Sequence, residues 1–248
     1  MIQRLRLAAA FAAAISLLVL AGPARAQAAG TAFTAGTGQH PDVAVDAAGT
    51  AHVVWLQPSG STNVVAYCRV PRGQRACTGT QTFALDLEDI AGRPWVFVNG
   101  ATVTIVDHRC CNDETFALTS SDGGKTFGPP VPIGTGEPNG DGRLGPDGAF
   151  YGVSTITTGG TVFQRMPLSG PQATARANVG PGYEVGGAIA FLGGLPLVAF
   201  ATISSTPTVA FARWSGTGDP NDVSTWTAPA LVGPGDSTRL AEGRAAPS

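Results

Sequence analysis

Ser120-Ser121-Asp122-Gly123-Gly124-Lys125-Thr126-Phe127 carries the strongest local signal for structure in the chain. It has the form S-x-D-x-G-x-T-[WF], and each letter has a mechanical reason. Gly123 and Gly124 supply the positive φ of a tight turn. Ser120 and Asp122 carry oxygens that hydrogen-bond the turn backbone, and Phe127 is a flat ring to bury beside it. A Pro-rich strand, TFGPPVPIG, runs on from Thr126. The stretch predicts a β-hairpin.

Outward from this hairpin the chain repeats. Gly49 lies in VAVDAAGTAHVVW, Gly100 in WVFVNGATVTIV, Gly148 in LGPDGAFYGVS and Gly194 in AIAFLGGLPLVAF, at steps of 51, 48 and 46 residues. A second marker, a Thr followed by an aromatic, recurs as Thr82-Phe83, Thr126-Phe127 and Thr225-Trp226. The last two begin segments that agree as T-[FW]-x-x-P-x-x-[IV]-G. Each unit fits an inner strand, a turn, a second strand, a longer loop, a third strand, a hairpin and an outer strand. That is a propeller blade, for which roughly 40–50 residues is the expected size. The blades fall at 41–85, 89–134, 141–180 and 184–233. The expected fold class is all-β, a β-propeller of about four visible blades within 27–248, incomplete or shortened. Thr31 to Thr34 reads as an outer strand arriving ahead of the first inner strand.

Composition narrows the class. Arg4 and Arg6, the apolar run Leu7 to Ala21 and Ala24-Arg25-Ala26 form a secretory leader at 1–26. That run is too short for a membrane span, so a secreted protein, extracellular or periplasmic, without membrane insertion is expected. The chain carries 15 Lys and Arg against 17 Asp and Glu; without the three leader arginines, 12 oppose 17. Such a surface does not recruit nucleic acid. The 34 Gly and 19 Pro, beside runs of Val, Ile and Phe, favour many turns and strands over helices.

The 120–127 spacing resembles the Asp-box, or bacterial neuraminidase (BNR) repeat, of sialidase-like β-propellers. The resemblance covers one clear copy, with a stretched relative ending in Ser224-Thr225-Trp226. It implies that Ser120, Asp122, Gly124, Thr126 and Phe127 are structural. The family includes exo-sialidases, other glycoside hydrolases and non-catalytic binding proteins. Its catalytic sialidases combine an arginine triad, a Tyr–Glu nucleophile pair and an Asp acid/base. Cys68-Arg69-Val70-Pro71 echoes the first arginine motif but lacks its aromatic residue and falls late in blade one, so Arg69 reads as structural. Tyr183-Glu184 is the one adjacent Tyr–Glu pair, and Asp42, Asp89 and Asp141 are the candidate acids or bases. Arg93, Arg109 and Arg143 would be the triad, although no flanking motif supports them.

Propeller topology sends the approach loop of each inner strand and the loop between second and third strands to one end. That mouth would collect His40, Asp42, Glu88, Asp89, Arg93, Asp107, His108, Arg109, Asp141, Arg143, Tyr183 and Glu184 as ligand contacts. The third-to-outer hairpins, Asp122 among them, lie at the other end, where Asp122 reads as a turn brace. Loops are polar simply because they face water, and this accounts for part of the set.

Four Cys in an exported chain allow three pairings. Cys68 and Cys77 flank a short hairpin loop, which leaves Cys110 and Cys111 to each other as a vicinal bridge. A metal held by His108 and those two thiolates matches no common zinc spacing, and no cofactor is expected. The leading expectation is an exported propeller that binds a glycan or cell-surface ligand without turning it over. The alternatives are an exo-sialidase-like hydrolase and a scaffold completed by a partner chain.

Overall fold

Four turns, each closed by a glycine with positive φ, connect the first strand of a sheet to the second: Gly49 at 83°, Gly100 at 60°, Gly148 at 75° and Gly194 at 79°. An L side chain is rarely found in this region, so the repeat glycines fix where each sheet begins. The computed structural model describes residues 32–87, 93–109, 114–136, 138–156, 160–180, 187–201 and 208–234. The chain divides into two units, Met1–Thr34 and Ala35–Ser248, and all sixteen described strands lie in the second.

Sheet one holds β1 (Gln39–Val45), β2 (Ala51–Ser59), β3 (Thr62–Val70) and β4 (Thr78–Leu87). Sheet two holds β5 (Trp95–Asn99), β6 (Thr102–Arg109), β7 (Glu114–Ser120) and β8 (Val131–Gly134). Sheet three holds β9 (Gly142–Leu144), β10 (Phe150–Ile156), β11 (Gly160–Met166) and β12 (Ala177–Gly180). Sheet four holds β13 (Ala188–Leu192), β14 (Leu195–Ala201), β15 (Thr208–Arg213) and β16 (Ala230–Pro234). Every sheet is an antiparallel meander in sequence order. Residues 32–36 form no strand, contrary to the expectation for Thr31 to Thr34; Gly36 and Gly38 instead lie against the Trp55 ring.

Side chains alternate across each strand, so a middle sheet must be apolar on both faces. Val103 and Ile105 of β6 pack with Val54, Leu56, Val65 and Tyr67 of sheet one. Val106, one residue out of phase with them, packs with Trp95, Phe150 and Met166, joining sheets two and three. Val153, Phe163, Val198 and Phe200 join sheets three and four. Among the described residues no buried cluster joins sheet four to sheet one. Consecutive four-stranded meanders stacked face to face in this way are the blades of a β-propeller. Tyr67, Phe150, Phe163 and Phe200 are fully buried, each contributing on the order of 2–3 kcal/mol by removal from water.

Each hairpin after the first blade reaches back to the preceding sheet. In blade two, Gln81 Nε2 of sheet one donates to the carbonyls of Gly124 (3.1 Å) and Lys125 (3.2 Å). Phe127 stands edge-on to Tyr67 and Phe83 there, with ring centroids 4.9 and 5.2 Å away. In blade three, the amides of Thr135 and Ala173 donate to the carbonyls of Ala173 and Ile133, both at 2.9 Å. In blade four, Asn221 Oδ1 accepts the Arg165 amide at 2.7 Å and Nδ2 donates to its carbonyl at 3.0 Å. Blade one's hairpin is closed by the Cys68–Cys77 disulfide. Cys110 and Cys111 lie outside the described residues.

Candidate functional site

Inner strands β1, β5, β9 and β13 start at the approach loops, so the residues just ahead of them share one end of the molecule. His40 sits there, exposed, in a register irregularity between Gln39 and Asp42. Its φ is +52°, the one positive value outside glycine among the described residues. A non-glycine residue in this region costs of order 1 kcal/mol or more and persists where the surroundings enforce it.

Asp42 follows, half-buried. Its Oδ2 accepts the amide of Val96, the second residue of β5, at 2.9 Å. Asp141 has the same role two seams further on, between sheets three and four: its Oδ2 accepts the amide of Ile189 in β13 at 3.2 Å, and its Oδ1 accepts the Gly142 amide at 3.0 Å. Both carboxylates, Asp42 from within β1 and Asp141 from the position just ahead of β9, thus tie one blade to the backbone of the next, and the expectation that Asp42 sits on an approach loop is corrected. Arg143 Nε donates to Asp141 Oδ2 at 3.2 Å, which orients the guanidinium.

Asp107 and His108 end the run of β6 and are both fully buried. Asp107 is two residues beyond Ile105, so its carboxyl lies on the seam toward sheet one, and His108 lies on the opposite face. Asp107 Oδ1 accepts the His108 amide at 2.8 Å, while Oδ2 has no hydrogen-bond partner among the described residues. Burial pushes this carboxyl up to about 7, against the smaller opposing pull of the His108 and Arg93 amides. Arg93 is exposed ahead of β5, and Arg109 is the last residue of β6, paired with Glu114. Glu88, Asp89, Tyr183 and Glu184 lie outside the described residues. No hydrogen bond or ion pair among the described residues links Asp42, Asp107 and Asp141 to one another.

At the other end, the 120–127 hairpin is a closed hydrogen-bond cage. Asp122 Oδ1 accepts the Lys125 and Thr126 amides and the Ser120 hydroxyl at 2.9, 3.0 and 2.7 Å; Oδ2 accepts the Thr126 hydroxyl at 2.7 Å. The Thr126 amide, then the Thr126 and Ser120 hydroxyls, hold the carboxyl far below the ordinary aspartate range. The hairpin touches the β5–β6 turn through Gly123 N to Ala101 O at 2.9 Å, which places it at the turn end. Arg69 lies within β3, paired with His52 and Thr78 in sheet one.

Two features went unread in the sequence. Asp46, in the β1–β2 turn, faces His52 Nε2 at 3.4 Å, and His52 Nδ1 meets the Tyr67 hydroxyl at 2.7 Å. Asp147, in the β9–β10 turn, accepts from the Tyr151 hydroxyl at 2.9 Å and Arg165 Nε at 2.7 Å. An aspartate shortly ahead of a repeat glycine is the signal common to both. The other feature is a cavity of about 400 Å³ lined by β1, β5 and β9, including Phe97, Asn99 and Arg143.

No family model and no curated protein matches the chain. Among solved structures, it is similar to the endo-arabinase from Bacteroides thetaiotaomicron (12% identity, 82% of this chain, 84% of that chain, TM-score 0.45). It is also similar to the Hadza microbial sialidase Hz136 (12% identity, 77% of this chain, 46% of that chain, TM-score 0.46). A third is the xylan β-1,4-xylosidase from Bacillus halodurans (12% identity, 81% of this chain, TM-score 0.42). The chain spans 42% of that xylosidase and 46% of the sialidase, less than half the length of either.

Proposed function

We propose that this chain is an exported propeller that binds a glycan at the mouth formed by its approach loops, without turning it over. One observation carries the non-catalytic reading: the Asp42 and Asp141 carboxylates are taken up by amides of the next blade. A general acid or base must present its oxygen to the reacting proton, and these oxygens face backbone. His40, exposed in a left-handed conformation at the same end, supports the mouth as the functional surface. The ligand set comprises His40, Arg93 and Arg109, with Asp89, Tyr183 and Glu184 from the neighbouring loops; His108, fully buried, is not at the surface of the mouth. The Asp122 cage supports the resemblance to Asp-box propellers, and with it a glycan as ligand. The leader at 1–26 and the Cys68–Cys77 disulfide support export.

Asp107 favours a second reading as a glycoside hydrolase. Its carboxyl, raised by burial to about 7, is partly protonated at neutral pH, the state a general acid needs, and this reading requires substrate binding to open the seam that covers it. A fluorogenic sialoside and neutral aryl glycosides, run beside oligosaccharide titrations on the same protein, separate the two. The binding reading expects saturable binding weakened by His40→Ala and no turnover above background. Turnover that disappears in Asp107→Asn, with the fold intact by circular dichroism, would establish the hydrolase instead.

A further inference from the structure

We infer that the cavity between the inner strands of blades one, two and three is a second binding site, for a small carboxylate with an apolar body. It does not depend on the glycan reading: its lining starts at Val96 and Arg143, runs along β5 as far as Asn99, and takes in the β9–β10 turn at Gly145, Pro146 and Gly148. About 400 Å³ suits a ligand of small-molecule size.

The lining selects the chemistry. Eight of its ten residues offer no polar side chain, Ala44, Val96, Phe97, Val98 and Leu144 among them. Asn99 and Arg143 are the two polar side chains of the lining, the rest of its polar surface being backbone, so a ligand with an apolar body and one charged end fits it better than a sugar with hydroxyls on every side. Phe97 supplies a fixed ring face, tilted against Phe150 with centroids 6.0 Å apart. Arg143 is the one charged lining residue among those described, since the neighbouring Asp147 carboxylate is turned to Tyr151 and Arg165.

Arg143 is also set for an anion. Asp141 engages it through Nε, and the same carboxylate is shared with the amides of Gly142 and Ile189. The terminal nitrogens make no other hydrogen bond among the described residues. Their planar fork matches the two oxygens of a carboxylate, a charge-assisted pairing stronger than any neutral contact here.

The test uses the mature full chain with benzoate as probe and benzyl alcohol as its neutral counterpart, followed by NMR titration. Benzoate should bind saturably, benzyl alcohol about tenfold or more weaker, and Arg143→Gln should remove that preference. Val98→Trp, which fills the cavity and leaves Arg143 in place, should abolish binding of both, with the melting temperature confirming the fold of each variant. Equal binding of the two probes, benzoate affinity unchanged in Arg143→Gln, or no saturable binding of benzoate at all would each overturn the site.

Discussion

In blade two the hairpin at 120–127 is braced by a carboxylate; in blade four the loop at 214–227 is braced by backbone carbonyls. Asp122 gathers four donors around its two oxygens. In blade four the Thr225 hydroxyl donates to the carbonyls of Asp219 (2.9 Å) and Asp222 (2.7 Å), and Trp226 Nε1 donates to that of Pro220 (2.8 Å). Asp222 only caps a single 3-10 turn, accepting the Ser224 amide at 2.9 Å. What recurs is the outcome. Phe127 stands edge-on to Tyr67 of blade one, and Trp226 stands edge-on to Phe163 of blade three, centroids 4.6 Å apart. The longer loop brings its own carbonyls to the threonine, so it needs no carboxylate at that point. In these two blades the shared element is the aromatic latch onto the preceding blade, and the brace is interchangeable.

The largest difference between the two hairpins is expected at their glycines. Gly124 is buried, has φ of +76° and lies where a Cβ would meet the Tyr67 hydroxyl; Gly218, at +78°, is exposed and abuts only Thr225. Gly124→Ala, whose Cβ would meet the Tyr67 ring and hydroxyl, should cost about 3 kcal/mol or more, and Gly218→Ala, whose Cβ would meet the Thr225 methyl, about 1–2 kcal/mol by strain and contact together. Urea unfolding of both variants checks this, and equal costs would mean that the two hairpins are supported alike. Next come the latches. Phe127→Ala and Trp226→Ala should each cost about 2–3 kcal/mol, since both rings are half-buried. A much smaller loss at Trp226 would show that the blade-four aromatic is no latch.

The braces differ in their response to pH. Asp122 has its carboxyl depressed by its amide and hydroxyl donors, so its contribution is present above the unfolded value of about 4 and is lost as pH falls below it. The melting temperature of wild type should therefore fall toward that of Asp122→Asn under acid conditions. Thr225→Val, which deletes the carbonyl-bound hydroxyl, should lower the melting temperature by the same amount at pH 3 and pH 7. The smallest effects belong to the amide tethers: Gln81→Leu and Asn221→Leu should each cost about 1 kcal/mol by chemical denaturation.

Much of this architecture is legible locally. A positive φ at Gly49, Gly100, Gly148 and Gly194 and a Thr-aromatic pair after the third strands of blades one, two and four are properties of a few adjacent residues, so they survive translation into sequence. Asp42 and Asp141 are visible as polar residues near the start of inner strands, but their partners are amides 54 and 48 positions away, which no spacing rule encodes. Phe97 is hidden for another reason: in WVFVN the same alternation serves whether a residue faces a seam or the axial cavity. Asp107 reads as a loop acid, and only the buried register of β6 turns it into a carboxyl raised to about 7.

The account rests on the two mouth carboxylates serving as ties between blades, and stability measurement of Asp42→Ala and Asp141→Ala tests it most directly. Each should lower the unfolding free energy by about 1–3 kcal/mol, because a partly buried amide of the next blade loses its acceptor. Unchanged or increased stability in both variants would contradict it, since that is how carboxylates kept for chemistry behave when removed.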